Sequence, residues 1–376
     1  MDPSMILNQY IFEEILDYVP AKELKELTTV NKSWYEAITT SSVLMKKYFL
    51  SIRGDWINDG DFKDVVSSSK RNFQKIIISD VTEIYTDVYE NILQCSNNNW
   101  KTVEIYGLKL KTCDELRNLF DCFESSVKNL VLSCVSVAEH SEPLKFGMKN
   151  LKNLRISHCD AEITSSVLKA ASNLVSLELQ HTPEYNIEII EFLKNMKTLK
   201  TLEMRGEWFN KFFASLNVSE IQFQLEEFTI TCIDYVMPPN ILTNFLQFID
   251  KQHSLKNIHL SEWFGLKVLL SIYQMTSIKE LSIFISPFFR WNIAKLPVNN
   301  SIEILDVRTL DVTDELFNLL ILLTASPSLK TLRLRSINAS LAEFIMLNLK
   351  KVTEISLVHS NNCEKVKTML QHVEFV

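Results

Sequence analysis

Three arginines, Arg308, Arg333 and Arg335, are the strongest polar candidates in this chain. Clustered guanidinium groups grip carboxylate or phosphate through paired hydrogen bonds, so the trio would suit an acidic or phosphorylated segment of a target protein. With Asp306 beside it, the same trio also fits an ordinary solvated face of paired charges. Glu178 and Glu203 form a second candidate group. Nucleophilic and metal chemistry find less support. The seven histidines are dispersed, and none stands with a Cys or Ser in a recognisable catalytic setting. The seven cysteines are scattered, odd in number and without a CxxC pair, which disfavours a disulfide framework or a zinc module and predicts buried free thiols in a reducing compartment. Six glycines, none clustered, leave no loop in which backbone N–H groups could cradle a phosphate. There is no HExxH, no GxSxG and no EF-hand loop. We therefore expect no catalysis, no cofactor and no bound metal.

The elements that must position these side chains come from a chain of 376 residues, 46% of them apolar. Lys and Arg number 39 against 46 Asp and Glu, a net charge of −7 that argues against general nucleic-acid binding. The opening MDPSMILNQY lacks a basic n-region and a long apolar core, so no signal peptide is expected. The most apolar stretch, LFNLLILLTA from Leu316 to Ala325, is half of the roughly 20 residues a membrane span needs. The expectation is a soluble intracellular protein, cytoplasmic and/or nuclear, with no membrane partner.

One pattern recurs along the chain: apolar, two residues, apolar, one residue, apolar. Its twelve occurrences start at Phe73, Trp100, Val127, Leu151, Leu174, Leu199, Leu225, Leu255, Ile278, Ile302, Leu329 and Val352, at steps of 23 to 30 residues. Alternate apolar residues place one face of a short strand inward. Helical spacing follows several of them, as in Ile187, Ile190 and Leu193, or Ile241, Phe245 and Ile249. A unit this small cannot bury its own apolar face, and stacking on its neighbours does so.

From about Phe73 onward the chain resembles the leucine-rich repeat family, in its longer class of about 25 residues per repeat. The Asn or Cys that the family carries after the third apolar residue is mostly missing. Cys159 fits that column, while Cys134 and Cys232 come one place early. The resemblance implies that the third, fifth and seventh places line a concave face that would hold a protein target. The fifth places include Glu104, Arg155, Glu178, Glu203, His259, Asp306 and Arg333, and the seventh include Tyr106, Arg205, Phe284, Arg308 and Arg335. The stretch from Ile285 to Lys295 holds Phe288, Phe289 and Trp291, which would serve as a buried anchor or as an exposed aromatic patch.

Ahead of the repeats, Met5 to Leu50 reads as three short helices. Ile11, Ile15 and Val19 are spaced at i, i+4 and i+8 with Leu16 beside them. Pro20 ends that helix, Leu24 and Leu27 sit on the next, and Asn31 is placed to cap a third that carries Trp34 and Ile38. This segment resembles an F-box, matching that motif at Leu7, Ile15, Leu16, Leu24, Leu27, Val30, Lys32 and Trp34, and departing from it at Asn8 and Asn31. The resemblance implies docking onto a Skp-type adaptor and through it a cullin. Leu7, Ile11, Ile15, Leu16, Val19, Leu24, Leu27 and Trp34 are the candidate docking or supporting residues, and part of that set would equally form the bundle's own core. The expected architecture is thus α/β: an F-box-like bundle over 1–50, a linker with a short helix over 51–72 in which Phe62, Val65 and Val66 pack, and a leucine-rich repeat solenoid of about twelve strand–helix repeats over 73–376. The expected function is the substrate-recognition subunit of a Skp–cullin–F-box ubiquitin ligase, whose repeats hold an unknown target for ubiquitination and proteasomal degradation. The alternative is a non-ligase interaction scaffold whose helical segment packs only on its own repeats.

Overall fold

The protein is described by a computed structural model over residues 9–54, 73–81, 100–123, 126–139, 147–180, 187–205, 207–231, 238–261, 264–285, 295–309, 312–357, 366 and 368–375. Leu7, the expected linker helix with Phe62, Val65 and Val66, and the aromatic trio Phe288, Phe289 and Trp291 lie outside these residues. The fold is α/β, and it divides into two compact units: Met1–Leu174 with Thr182–Phe192, and Val175–His181 with Leu193–Val376.

The first unit opens with helices α1 (Gln9–Asp17), α2 (Ala21–Leu27) and α3 (Lys32–Thr40) and a 3₁₀ turn at Leu44–Lys47. Then come β1 (Leu50–Arg53), β2 (Lys75–Ser79), β3 (Thr102–Tyr106), β4 (Lys109–Thr112), α4 (Cys113–Asp121), β5 (Asn129–Ser133), β6 (Ser136–Glu139), β7 (Asn153–Ser157) and α5 (Ala161–Ala170). Helix α6 (Ile187–Lys194) follows, running from the first unit into the second. Strands β1, β2, β3, β5 and β7 pair side by side, all parallel, while β4 and β6 form a separate parallel pair.

The second unit contains β8 (Ser176–Gln180), β9 (Thr201–Arg205), α7 (Glu207–Ser215), β10 (Glu227–Thr231), α8 (Pro239–Lys251), β11 (Asn257–Leu260), α9 (Leu266–Gln274) and β12 (Glu280–Ile285). It continues with β13 (Ile304–Thr309), α10 (Val312–Thr324), β14 (Thr331–Leu334), α11 (Ala339–Asn348), β15 (Glu354–Leu357) and β16 (Glu374–Phe375). Its nine strands are ordered β8 to β16 without a crossover, and their pairs are parallel.

Each of the twelve sequence motifs leads into one of these strands, and each strand begins at the motif's third place. The fourth-place residues, from Ile76 to Ile355, are all buried. Registered pairs such as Ile76↔Val103 and Leu281↔Leu305 show that one repeat stacks on the next without slip. The backbone fixes this stacking through one recurrent bond. The second-place carbonyl of a repeat accepts the N–H groups of the second and third places of the next, as Gln74 does from Lys101 and Thr102, and Glu226 from Lys256 and Asn257.

Three features depart from the sequence expectation. Ser51–Arg53, assigned above to a linker, form most of β1 and pair with β2, so the bundle runs directly into the sheet. Gly54, just past β1, lies so close to the Asp80 carbonyl that a Cβ there would sit 2.2 Å from the oxygen. The eighth places of the first four repeats, Asp80, Gly107, Cys134 and His158, all have φ between 53° and 66°, although glycine occupies only one of them. That left-handed turn lets the Asp80, Gly107 and Cys134 amides donate to Tyr106, Ser133 and Ser157 and so lengthen the ladder. It also points the ninth places, Val81, Leu108, Val135 and Cys159, into the core, so that aliphatic groups fill three of the four positions where the repeat family carries Asn or Cys and Cys159 fills the fourth.

The core of the second unit is aromatic. Helices α7 and α8 bring Phe209, Phe212, Phe213, Phe245 and Phe248 together with Phe223, Phe228 and Phe264, and most neighbouring rings meet edge-on or tilted. As the spacing predicts, Ile241, Phe245 and Ile249 of α8, and Ile190 and Leu193 of α6, are buried. The apolar stretch from Leu316 lies mainly in α10, and no described helix is long and apolar enough to cross a membrane. Phe245 stacks against four other rings. Phe245→Ala should therefore cost about 3–5 kcal/mol of unfolding free energy, measured as a fall in the urea midpoint at constant slope.

Candidate functional site

The N-terminal bundle is held by a small core of its own. Leu16, Leu24, Ile38 and Leu44 are buried together, and Val19, Leu27, Trp34 and Tyr48 pack half-buried against them. Pro20, extended at φ −58° and ψ 149°, separates α1 from α2. Asn31 caps α3, its Oδ1 accepting the Trp34 N–H at 3.0 Å, and so sets the turn that lays the indole over the core. Lys47 closes the open end of α1: its ammonium donates to the Val19 carbonyl at 3.0 Å and to that of Asp17, and pairs with the Asp17 carboxylate at 3.4 Å. Tyr48 Oη donates to the Ala21 carbonyl at 3.0 Å.

These contacts sort the candidate docking residues. Leu16 and Leu24 belong to the internal core, and Val19, Leu27 and Trp34 support it while keeping part of their surface in water. Ile15 is turned outward at 57% exposure, so the face of α1 that reaches water is not the one that fills the core. Tyr18 at 87% and Val30 at 60% are also exposed, and neither was singled out for docking. The spacing of Tyr18, three residues after Ile15, was the available signal. Ile11 lies in α1, and Leu7 precedes the described residues.

On the strand face of the second unit, Glu178 and Glu203 are register partners on β8 and β9. Each is met within its own strand. Gln180 donates its side-chain amide to Glu178, and Arg205 Nε lies 3.1 Å from Glu203. The arginine trio is also met by acids. Arg333 reaches across β13 to Glu280 at 2.8 Å, and Arg308 lies 3.4 Å from Asp306, which accepts a further bond from Ser282 Oγ at 3.0 Å. Arg335 is exposed just past β14. Two of the three guanidinium groups thus spend hydrogen bonds on carboxylates of their own sheet.

Along the second places runs an alternating charge row: Lys200–Glu226–Lys256 at 2.6 and 2.8 Å, and Lys279–Glu303–Lys330 at 3.0 and 2.6 Å. The two lysine hydrogen bonds hold the Glu226 carboxyl down at about 2, and those on Glu303 lower it in the same direction. Burial pushes the Cys159 thiol up to about 12, which makes it a poor nucleophile, and Cys134 is exposed against the expectation of buried thiols. Among the described residues no cluster of His, Cys, Asp or Glu could hold a metal ion.

The chain matches no protein-family model and no curated protein.

Because the folded Glu226 carboxyl titrates below its ordinary 4.5, its pairs contribute stability above that pH and lose it as pH falls toward about 2. Glu226→Gln should therefore lower the thermal midpoint at pH 7 and flatten its decline between about pH 4.5 and about 2, so that the variant and the parent converge at the acid end. High salt should narrow the gap at pH 7.

Proposed function

We propose that this chain is the target-holding subunit of a Skp–cullin–F-box ubiquitin ligase, with the helical bundle docking onto the Skp-type adaptor and a leucine-rich repeat solenoid presenting the target. The observation that carries this reading is the division of labour in the bundle. Four side chains suffice for its core, and Ile15, Tyr18 and Val30 remain in water immediately beside it. Exposed large apolar groups on a small bundle are the composition of an interface hot spot. The stacked parallel repeats that follow supply a long polar strand face suited to a protein partner. In this role the chain does no chemistry: it raises the concentration of the target beside a ubiquitin-charged enzyme, in the cytoplasm or the nucleus.

Binding of the purified full-length chain to a recombinant Skp-type adaptor tests the reading. The parent should form a stable complex, and Ile15→Asp should weaken it by about 2 kcal/mol, about thirtyfold, with an unchanged unfolding midpoint. Phe317→Asp, at a 59% exposed position on α10 of the other unit, should leave binding intact. A parent chain that fails to bind the adaptor would leave an interaction scaffold as the function.

A further inference from the structure

The second-place row differs between the two units. In the second, Glu226 and Glu303 stand between lysines and neutralise them. In the first, the row reads Gln74, Lys101, Lys128, Lys152, with no acid in it. Lys128 and Lys152 are exposed and Lys101 half-exposed. Among the described residues, the one hydrogen bond these three ammonium groups make is from Lys152 to the Asn173 carbonyl at 3.3 Å. Their strands are consecutive in the sheet, so the lysine backbones follow one another at about 4.8 Å and the like charges repel.

Beside this row, at the third places, runs a ladder of amides. Asn153 Nδ2 donates to Asn129 Oδ1 at 2.5 Å, and Asn129 Nδ2 donates to Thr102 Oγ1 at 3.0 Å. Each asparagine NH₂ carries a second N–H beyond the one used in the ladder. A line of cations next to a line of amide donors is complementary to a chain that offers carboxylates on one side and carbonyl oxygens along its length.

We propose that Lys101, Lys128 and Lys152, with Asn129 and Asn153, form a docking strip for an extended acidic segment of a partner polypeptide. The partner's Asp or Glu side chains take the place that Glu226 and Glu303 fill in the second unit, and its backbone carbonyls accept from the asparagines. Nucleic acid fits less well: a net charge of −7 repels a long polyanion, whereas a short acidic segment is governed by charges within a Debye length. The strip would serve a ligase receptor and a plain scaffold alike.

Fluorescence anisotropy on the full-length chain, without adaptor, measures it. The probe is a short labelled peptide of alternating Glu and Ser, with a Lys–Ser peptide and a short single-stranded oligonucleotide as comparators. The acidic peptide should bind alone, and binding should fade as salt rises from about 0.05 to about 0.5 M. The triple change of Lys101, Lys128 and Lys152 to Glu should weaken it at least about tenfold. The triple change to Arg should preserve it, Lys256→Glu in the neutralised row should leave it unaltered, and the single exposed change Lys128→Glu should give a partial loss if the triple variant does not fold. Absence of peptide binding by the parent, an affinity indifferent to the Lys→Glu changes, or tighter binding of the oligonucleotide overturns the proposal.

Discussion

The architecture depends on one backbone bond repeated along the chain. Within both units a carbonyl at the second place of a repeat, from Gln74 to Lys128 and from Val175 to Lys330, accepts two amides from the repeat that follows. Because both lone pairs of that oxygen are used, the next repeat cannot slide without leaving a polar group unpaired. Everything between strands is then free to vary, and the steps range from 23 to 30 residues without disturbing register. The apolar first, fourth and sixth places supply the driving force, and the doubly used carbonyl supplies the alignment.

The strands were legible in the sequence because both of their determinants are local. Alternation over six residues marks the buried face, and recurrence marks the stack, so all twelve strand starts follow from the motif. What was not legible rests on context. β1 carries only Leu50 and Ile52 as inward groups, too short a signal to separate from a linker. The left-handed eighth places were hidden because Asp80, Cys134 and His158 occupy them in place of glycine. At Asp80 and Cys134 that conformation accompanies a ladder bond from the residue's own amide to the next repeat.

The candidate surfaces were legible in composition more than in direction. Of the bundle's apolar residues, Leu16, Val19, Leu24, Leu27 and Trp34 were candidates from the sequence, whereas Leu44, Tyr48 and the exposed Tyr18 were not. Which of them face inward is decided by where α2 and α3 cross α1, and no single-helix periodicity encodes that crossing. Leu16 is buried and its neighbour Ile15 is not. The charged groups of the strand face likewise lie at the expected places. The partners of Arg333 and Glu203 follow from side-chain reach along and across strands, and Arg333 bridges to a residue two strands away.

The strand that leaves the bundle has a mechanical consequence. Lys47, which clamps the end of α1, is separated from β1 by only Tyr48 and Phe49, and Gln74 ties the first repeat to the Ser42 carbonyl at 2.6 Å. No swivel is left at that seam. The bundle is cantilevered from the sheet edge, and torque applied to it passes straight into β1 and β2. A partner docked on those three helices, as proposed above, would be aimed by the first repeats, with the angular play of a hydrogen-bonded sheet and not that of a tether.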